Sequence, residues 1–314
     1  MAILFKSDPE DVAAWTSALQ RLLPDVELRI WPKIGNPAEI DFCVGWAFPA
    51  GSLAKLPNLR GLQSLGAGVD HVFRDPELPE TLPISRIVDP SMTEDMTQWV
   101  VMNVLRFHKQ DLDYRRLQAE GRWQELPPPS WARRRVGMMG LGELGGHALA
   151  RLKLFGFPLA GWSRTQKRID GVETFHGDDG LKPFLARTDI LVVLLPHTPE
   201  TEGILNRPLL ARLARDGRLG GPALINAGRG KLQVETDILA ALDAGELREA
   251  VLDVFETEPL PQDSRLWTHP AVTVTPHNSA MSAPEAVADQ IAAQIRRLEA
   301  GGELQNVVDP SRGY

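Results

Sequence analysis

The feature that most constrains the fold of this 314-residue chain is a series of short apolar runs that alternate with helical stretches. In the second half of the chain most of these runs stay apolar without a polar residue at every second position, as strands buried on both faces of a sheet do. They are RRVGMMG, PLAGWS, DILVVLLP, ALINAG, EAVLDVF and AVTVTPH. The pattern predicts an α/β fold built on a doubly wound parallel sheet.

The first 90 or so residues predict a second, smaller parallel sheet. AILF, VELRIW and DFCVGWA have the composition of strands, and DPEDVAAWTSALQRLLP has apolar residues at helical spacing. One long helix is expected to follow, running from Met92 to Gly121, with Ser91 or Thr93 as its N-cap and Gly121 at its end. APEAVADQIAAQIRRLEAGG predicts a further helix near the C-terminus.

Composition excludes several classes of function. The net charge is -7 and there is no extended basic run, so nucleic acid is not an expected partner. The single cysteine, Cys43, rules out an intramolecular disulfide and disfavours a cysteine-based metal site. The opening apolar stretch is too short for the core of a signal peptide, and no later segment approaches a membrane span. We therefore expect a cytoplasmic protein that uses neither a membrane nor a metal.

A G-x-G-x-x-G motif, formed by Gly140, Gly142 and Gly145, follows an apolar run and opens a helical stretch. In that context the motif predicts a dinucleotide site, because the glycines allow a tight turn, a close approach of the backbone to the pyrophosphate and close helix packing. The N-terminus of the helix presents N–H groups to the phosphates. The predicted turn also contains Leu141, Glu143 and Leu144.

The end of the next predicted strand bears on the choice of cofactor. NAD enzymes place an acidic residue there, about 20 residues after the glycines, to bind the ribose hydroxyls. This chain has Ser163 and Arg164 at that point, followed by Thr165 and Lys167. Serine removes the charge that would repel a 2′-phosphate, and arginine supplies a bidentate cation. We therefore expect NADP(H) to be preferred, with NAD(H) as the second option.

Three reactive side chains follow three separate predicted strands: Arg229 in LINAGRGK, Glu258 in LDVFETEPLP and His277 in VTVTPHNSA. The carboxyl ends of parallel strands meet at one edge of a sheet, so these side chains are expected to lie together. Arginine can bind a substrate carboxylate, histidine can protonate a carbonyl oxygen, and a carboxylate on the second ring nitrogen orients the imidazole. The combination predicts reduction of a 2-oxo acid beside a nicotinamide.

The order and spacing of these motifs resemble the D-isomer-specific 2-hydroxyacid dehydrogenase family along nearly the whole chain. The segments that carry the resemblance are LGAGVDHV, GLGELGG, LLPHTPETEGIL, LINAGRG, LDVFETEPLP and TPHNSA. Within the family the chain is similar to the glyoxylate/hydroxypyruvate reductase A branch, through GWSRTQK, SRLWTHP and DPSRGY. The implied reactions are the NADPH-dependent reduction of glyoxylate to glycolate and of hydroxypyruvate to D-glycerate.

The resemblance also implies residue roles. Arg229 binds the substrate carboxylate, His277 is the acid/base, and Glu258 is its partner. Backbone N–H groups of Ala67 and Gly68 also hold the substrate carboxylate, and Trp46 is an aromatic residue of the pocket. Asp253 is expected to face the nicotinamide carboxamide. The remaining residues expected at the cofactor are Leu195, Pro196, Thr201, Ala227 and Gly228. His71 and His197 lie in matched motifs but are interpreted as structural.

One segment departs from the family pattern. His277 is followed by Asn278 and Ser279, where an apolar residue is usual, and the arginine common in this branch is missing from the stretch 281–284. We expect these departures to affect the range of substrates and to leave Arg229, Glu258 and His277 intact.

The family implies two Rossmann-like domains with the active site in the cleft between them. Residues 1–99 and 282–314 are expected to bind the substrate, and residues 100–281 the dinucleotide. The family also implies a homodimer.

Two alternatives to the reductase remain open. One is an NAD-linked dehydrogenase acting on another substrate, such as a phosphoglycerate enzyme; formate dehydrogenase is disfavoured, because that branch pairs a glutamine with its histidine. The other is a dinucleotide-sensing corepressor without catalysis, which the intact Arg229, Glu258 and His277 set disfavours.

Overall fold

A computed structural model describes residues 2–7, 12–66, 68–217 and 220–309 of the chain. The chain divides into two compact units, one formed by residues 1–91 with 282–314 and the other by residues 92–281. The first of the two boundaries between the units therefore lies between residues 91 and 92, eight residues before the boundary expected from the sequence. The reason lies in the packing, since Met96 and Val100 belong to the hydrophobic core of the second unit.

The first unit contains a parallel sheet with five strands in its described residues, in the order β2-β1-β3-β4-β5. The strands are β1 (Ala2–Lys6), β2 (Glu27–Ile30), β3 (Ile40–Gly45), β4 (Gly61–Ser64) and β5 (Ile84–Ser85). The helices are α1 (Val12–Leu22), the short α2 (Asp70–Phe73) and α9 (Pro284–Glu299). Helices α1 and α9 pack together and bury an apolar core with β1 and β3.

The second unit contains a parallel sheet with seven strands in its described residues, in the order β12-β11-β10-β9-β6-β7-β8. The strands are β6 (Val136–Met139), β7 (Leu159–Ser163), β8 (Glu173–His176), β9 (Ile190–Val193), β10 (Ala223–Asn226), β11 (Glu249–Leu252) and β12 (Val272–Val274). Strands β6, β7, β9, β10 and β11 are buried throughout, which explains why their sequences are mostly apolar and do not alternate with polar residues. The chain reverses its direction of travel across the sheet between β6 and β9, and this is the point where such folds bind ligands. The predicted α/β class and the parallel sheets are confirmed.

Helices flank the second sheet. They are α3 (Pro90–His108), α4 (Asp111–Ala119), α5 (Glu143–Lys153), α6 (Gly177–Ala186), α7 (Arg207–Leu210) and α8 (Glu235–Asp243). In the part of the chain that the structure describes, no helix is both long and apolar enough to cross a membrane.

The single long helix predicted from Met92 to Gly121 was wrong in two respects. The chain forms α3 and α4 instead, separated at Gln110, whose positive φ of 61° breaks the helix. The predicted caps Ser91 and Thr93 lie inside α3, which begins at Pro90. The carboxylate of Asp89 accepts hydrogen bonds from both the N–H and the hydroxyl of Ser91, so aspartate does the capping.

Candidate active site

The turn after β6 has the shape that the glycine motif requires. Gly140 has a φ of +106°, and a Cβ at this position would lie 2.6 Å from the carbonyl oxygen of Leu194. A Cβ at Gly145 would lie 1.9 Å from the carbonyl oxygen of Gly140. Both positions therefore require glycine for reasons internal to the protein.

Gly142 differs from these two glycines. It precedes α5 without a side-chain cap, and a Cβ there would meet nothing within 4 Å. The open space lies at the N-terminus of an eleven-residue helix, where N–H groups and the helix dipole favour an anion. This arrangement fits the pyrophosphate of a dinucleotide, which needs both an open backbone and hydrogen-bond donors.

The end of β7 presents a polar and basic turn. Ser163 is buried, and its hydroxyl donates a hydrogen bond to the carbonyl of Thr165 at 2.8 Å. Arg164, Thr165 and Lys167 are exposed. The serine hydroxyl therefore stabilises the turn, while the side chains of the residues after it are accessible to solvent or to a ligand.

The loops after β9 and β10 lie against each other. A Cβ at Gly228 would lie 2.7 Å from the carbonyl oxygen of Leu195. The hydroxyl of Thr201 donates to the carbonyl of Pro196 at 2.8 Å, which closes the first loop. Since Gly140 packs on Leu194, the predicted cofactor residues of three loops are brought to one edge of the sheet.

Arg229 follows β10 in a tightly packed loop. Its Nη1 donates to the carbonyl of Gly228 at 2.7 Å. A Cβ at Gly230 would lie 1.7 Å from the carbonyl oxygen of Phe255, so the loop carrying Arg229 presses against the segment after β11. That segment also carries Glu258.

His277 and Glu258 form a hydrogen-bonded pair. The distance from His277 Nδ1 to Glu258 Oε2 is 2.7 Å, and the two side chains are 39% and 35% exposed. The other carboxylate oxygen of Glu258 accepts the backbone N–H of Phe255 at 3.0 Å. Burial raises the pKa of Glu258, but the bonds from His277 and Phe255, with smaller contributions from the charges of His277 and Arg229, bring it below its ordinary value.

This pair has a clear chemical consequence. Glu258 stays ionised at neutral pH and holds Nδ1 of His277, so Nε2 is the ring nitrogen that can donate a proton to a substrate. Because β10, β11 and β12 are neighbours in the sheet, the second unit brings Arg229, Glu258 and His277 to one edge, as the sequence predicts.

Asp253, one residue past β11, is fully buried. Its carboxylate accepts hydrogen bonds from the hydroxyl of Thr275 and from the backbone N–H groups of Asn278 and Ser279. Analysis of the sequence missed these contacts. The signal available was a carboxylate just past one strand beside a threonine just past the next.

The first unit holds the predicted substrate residues Trp46 and Gly68, whereas Ala67 lies outside the described residues. The ring centroids of Trp46 and His71 lie 3.9 Å apart, a contact that the sequence did not indicate. A Cβ at Gly66 would lie 2.3 Å from Trp46 Cζ3, so glycine is needed to admit the indole ring. In the second unit His197 contacts Glu202 at 3.4 Å.

A glycine turn open to a dinucleotide, at the edge that also carries a histidine–carboxylate pair and an arginine, is typical of dinucleotide-dependent oxidoreductases. Comparison of sequences narrows this class. The model of the D-isomer specific 2-hydroxyacid dehydrogenase NAD binding domain matches residues 101–279. The chain belongs to the D-isomer specific 2-hydroxyacid dehydrogenase family.

Full-length relatives and solved structures agree with this assignment. The glyoxylate/hydroxypyruvate reductases A of Yersinia enterocolitica and Serratia proteamaculans are each 40% identical to the chain, over 100% of both chains. The structure of an NADPH-dependent glyoxylate/hydroxypyruvate reductase from Sinorhizobium meliloti, in complex with NADP and sulfate, is 42% identical, with a TM-score of 0.92 over 100% of this chain and 99% of that one. The family inferred from the motifs is confirmed.

A second solved structure also contains the phosphorylated cofactor. It is the D-isomer specific 2-hydroxyacid dehydrogenase from Xanthobacter autotrophicus Py2 in complex with NADPH and MES. It is 42% identical to the chain, with a TM-score of 0.91 over 100% of this chain and 99% of that one.

Proposed function

We propose that this protein reduces small 2-oxo acids with NADPH, converting glyoxylate to glycolate and hydroxypyruvate to D-glycerate. The observation that carries the proposal is the 2.7 Å hydrogen bond between His277 Nδ1 and Glu258, at the sheet edge that also carries Arg229. Relatives that match the chain from end to end bear the name glyoxylate/hydroxypyruvate reductase A.

His277 is the proton donor in this proposal. Nε2 of the protonated ring gives its proton to the carbonyl oxygen of the substrate, which becomes the hydroxyl of the product. Glu258 fixes the orientation of the ring throughout, through its hydrogen bond to Nδ1. A bound NADPH supplies the hydride that reduces the carbonyl carbon.

Arg229 binds the substrate carboxylate, because a guanidinium makes two parallel hydrogen bonds to such a group. In the other unit, the backbone N–H groups of Ala67 and Gly68 are proposed to bind the same carboxylate, and Trp46 to contact the rest of the substrate. We propose that residues 92–281 form the dinucleotide-binding domain, and that residues 1–91 with 282–314 bind the substrate.

The glycine turn from Gly140 to Gly145 is proposed to hold the pyrophosphate of the cofactor. Arg164, Thr165 and Lys167, exposed after Ser163, are proposed to bind the 2′-phosphate. NADPH is then preferred, with NADH as a weaker substitute. The remaining residues proposed at the cofactor are Leu141, Glu143, Leu144, Leu195, Pro196, Thr201, Ala227 and Gly228.

We also propose that the protein is a cytoplasmic homodimer. The exposed aromatic side chains Trp123 and Trp131 lie in or beside the irregular segment after α4. Exposed aromatic surface of this kind is typical of contacts between proteins, and a second copy of the chain is the partner that we propose.

The test is an assay of NADPH oxidation. Purified protein should oxidise NADPH when glyoxylate or hydroxypyruvate is added, and His277→Gln should lower kcat by about 100-fold or more, since acid catalysis contributes that much. Binding of NADPH, followed by its fluorescence, should persist in this variant. His176→Gln, at the end of the edge strand β8, is the control and should keep normal kcat. Wild-type kcat in His277→Gln would remove His277 from the mechanism.

A further inference from the structure

The backbone of Trp46, the aromatic residue proposed to contact the substrate, is held by two hydrogen bonds. Its N–H donates to the carbonyl of Lys6 at 2.8 Å, and its carbonyl accepts a hydrogen bond from Nζ of Lys6 at 2.9 Å. Lys6 ends β1 and Trp46 follows β3, so two neighbouring strands fix the point from which the indole projects. The direction of the indole then depends on the contacts of the ring itself.

Two contacts limit the position of the indole ring. The ring centroids of Trp46 and His71 lie 3.9 Å apart, the ring planes are inclined by 36°, and both residues are half-buried. At one edge of the indole, a Cβ on Gly66 would lie 2.3 Å from Cζ3, so the backbone of Gly66 already touches that edge. The ring therefore cannot move towards Gly66, and the imidazole covers another part of its surface.

His71 is anchored by the core of the first unit. It lies in the short helix α2, between Val69 and Val72, which are both buried in the apolar cluster that also contains Cys43 and Leu62 of the sheet. The N–H of Val72 donates to the carbonyl of Val69 at 2.9 Å, which closes the backbone around His71. Because its flanking residues are fixed in the core, the imidazole can serve as a rigid support for the indole.

The segment between these two contacts is the one proposed to bind the substrate carboxylate. The N–H of Gly66 donates to the hydroxyl of Ser64 at 3.1 Å, and its carbonyl accepts the N–H of Ile87 at 3.3 Å. Positions 67 and 68 follow, and α2 with His71 comes directly after them. The indole is thus packed against residues on both sides of the proposed carboxylate site. A substrate bound there would meet the indole at a fixed distance from its carboxylate.

We propose that His71 is the residue that positions Trp46 and thereby restricts the substrates to 2-oxo acids with small substituents. The imidazole holds the indole as a wall against the hydrogen of glyoxylate or the hydroxymethyl group of hydroxypyruvate. His71 acts through the indole and does not bind the substrate. The inference rests on the proposed function and on the proposed contact of Trp46 with the substrate. It gives His71, interpreted from the sequence as structural, a role in specificity.

His71→Ala removes the support and leaves a space into which the indole can move. We expect KM for glyoxylate and for hydroxypyruvate to rise by about three- to tenfold, which is the size of effect of one aromatic contact. Both kcat and the dissociation constant of NADPH should stay within about twofold of the wild-type values. Because the pocket widens, the ratio of kcat/KM for phenylpyruvate to kcat/KM for glyoxylate should rise by about tenfold or more. Wild-type KM values with an unchanged ratio would overturn the inference.

Two further variants make the result specific. His71→Phe keeps an aromatic ring against the indole, so KM and the ratio should stay close to the wild-type values; a rise in KM as large as in His71→Ala would refute the aromatic support. His108→Ala removes another histidine that contacts an aromatic ring, that of Phe157 in the second unit, with ring centroids 5.2 Å apart. It should lower the melting temperature and leave KM unchanged. If KM rose equally in both alanine variants, the effect would be general instability and the inference would fail.

A double-mutant cycle separates support of the indole from direct contact with the substrate. Trp46→Ala removes the wall, so adding His71→Ala to it should change KM for glyoxylate by less than about twofold. A further rise of about three- to tenfold in that background would mean that His71 binds the substrate itself, and would overturn the inference.

The test does not depend on one variant or on the outcome for the proposed function. If His71→Ala does not fold, His71→Asn, which keeps a polar side chain but no ring, replaces it in the same cycle with the same expected results. A wild-type protein that oxidises no NADPH with any 2-oxo acid would refute the proposed function. An active wild-type enzyme whose KM values do not respond to loss of the imidazole would refute only the role of His71.

Discussion

At the scale of single residues, we propose that the choice of cofactor depends on the turn that ends β7. Ser163 leaves no carboxylate there to repel a phosphate, and its hydroxyl is used within the turn. Arg164 is exposed, and its charge contributes, after the hydrogen bond from Thr198 and a backbone hydrogen bond, to lowering the pKa of Glu200. A bound 2′-phosphate would compete with Glu200 for the charge of Arg164.

Arg164→Ala should weaken the binding of NADPH much more than the binding of NADH. The loss of a charged hydrogen bond to a phosphate costs about 1.5–3 kcal/mol, so we expect the NADPH dissociation constant to rise by about 10- to 100-fold. Fluorescence titration with each cofactor measures this directly. Lys182→Ala, which removes an exposed cation from α6, is the matched control and should bind NADPH normally. Equal losses of affinity for NADPH and for NADH would show that Arg164 does not bind the 2′-phosphate.

At the scale of elements, the two open glycines around the start of α5 have different roles. A Cβ at Gly142 or at Gly146 would meet nothing within 4 Å in the protein. Gly142 precedes the helix at the proposed pyrophosphate site, whereas Gly146 lies within the helix. An added methyl group at Gly142 would therefore hinder a bound ligand without disturbing the packing of the protein.

Gly142→Ala should keep the melting temperature of the wild-type protein and bind NADPH about tenfold more weakly or worse, because the methyl group blocks the close approach of the phosphates. Gly146→Ala is the control, and we expect it to raise stability by up to about 1 kcal/mol through helix propensity, with unchanged NADPH binding. Thermal unfolding and fluorescence titration measure the two effects. NADPH binding at wild-type strength in Gly142→Ala would place the pyrophosphate elsewhere.

The strands of the second sheet could be predicted from sequence where they are buried on both faces, as in β9 and β10. Strand β8 could not, because it lies at the edge of the sheet and its residues are exposed or half-buried. The break at Gln110 was also missed, because helix-forming residues continue on both sides of it and only the backbone of this one residue, with a φ of 61°, leaves the helical region.

In the candidate site, too, some features could be predicted from the sequence and others could not. Arg229, Glu258 and His277 could be predicted because each follows a recognisable strand, and parallel strands end at one edge. The bonds from Asp253 to Asn278 and Ser279 could not, because they join positions more than 20 residues apart through backbone N–H groups, which every residue except proline carries.

At the scale of the whole molecule, the proposed homodimer can be tested through its exposed aromatic side chains. Trp123 is fully exposed in a single chain. Light scattering after size exclusion should give twice the mass of one chain, and Trp123→Ala should shift the protein towards the monomer. Trp267→Ala, which removes another exposed tryptophan, is the control and should leave the mass unchanged. A monomeric wild-type protein would refute the dimer.

The reaction itself gives the most direct test of the central proposal. With hydroxypyruvate and NADPH, we expect the purified protein to form D-glycerate in an amount equal to the NADPH consumed, as resolved by chiral chromatography and absorbance. This follows from hydride delivery to one face of a carbonyl whose carboxylate is held by Arg229 and whose oxygen is protonated by His277. Formation of L-glycerate, or no consumption of NADPH with any 2-oxo acid, would contradict the account.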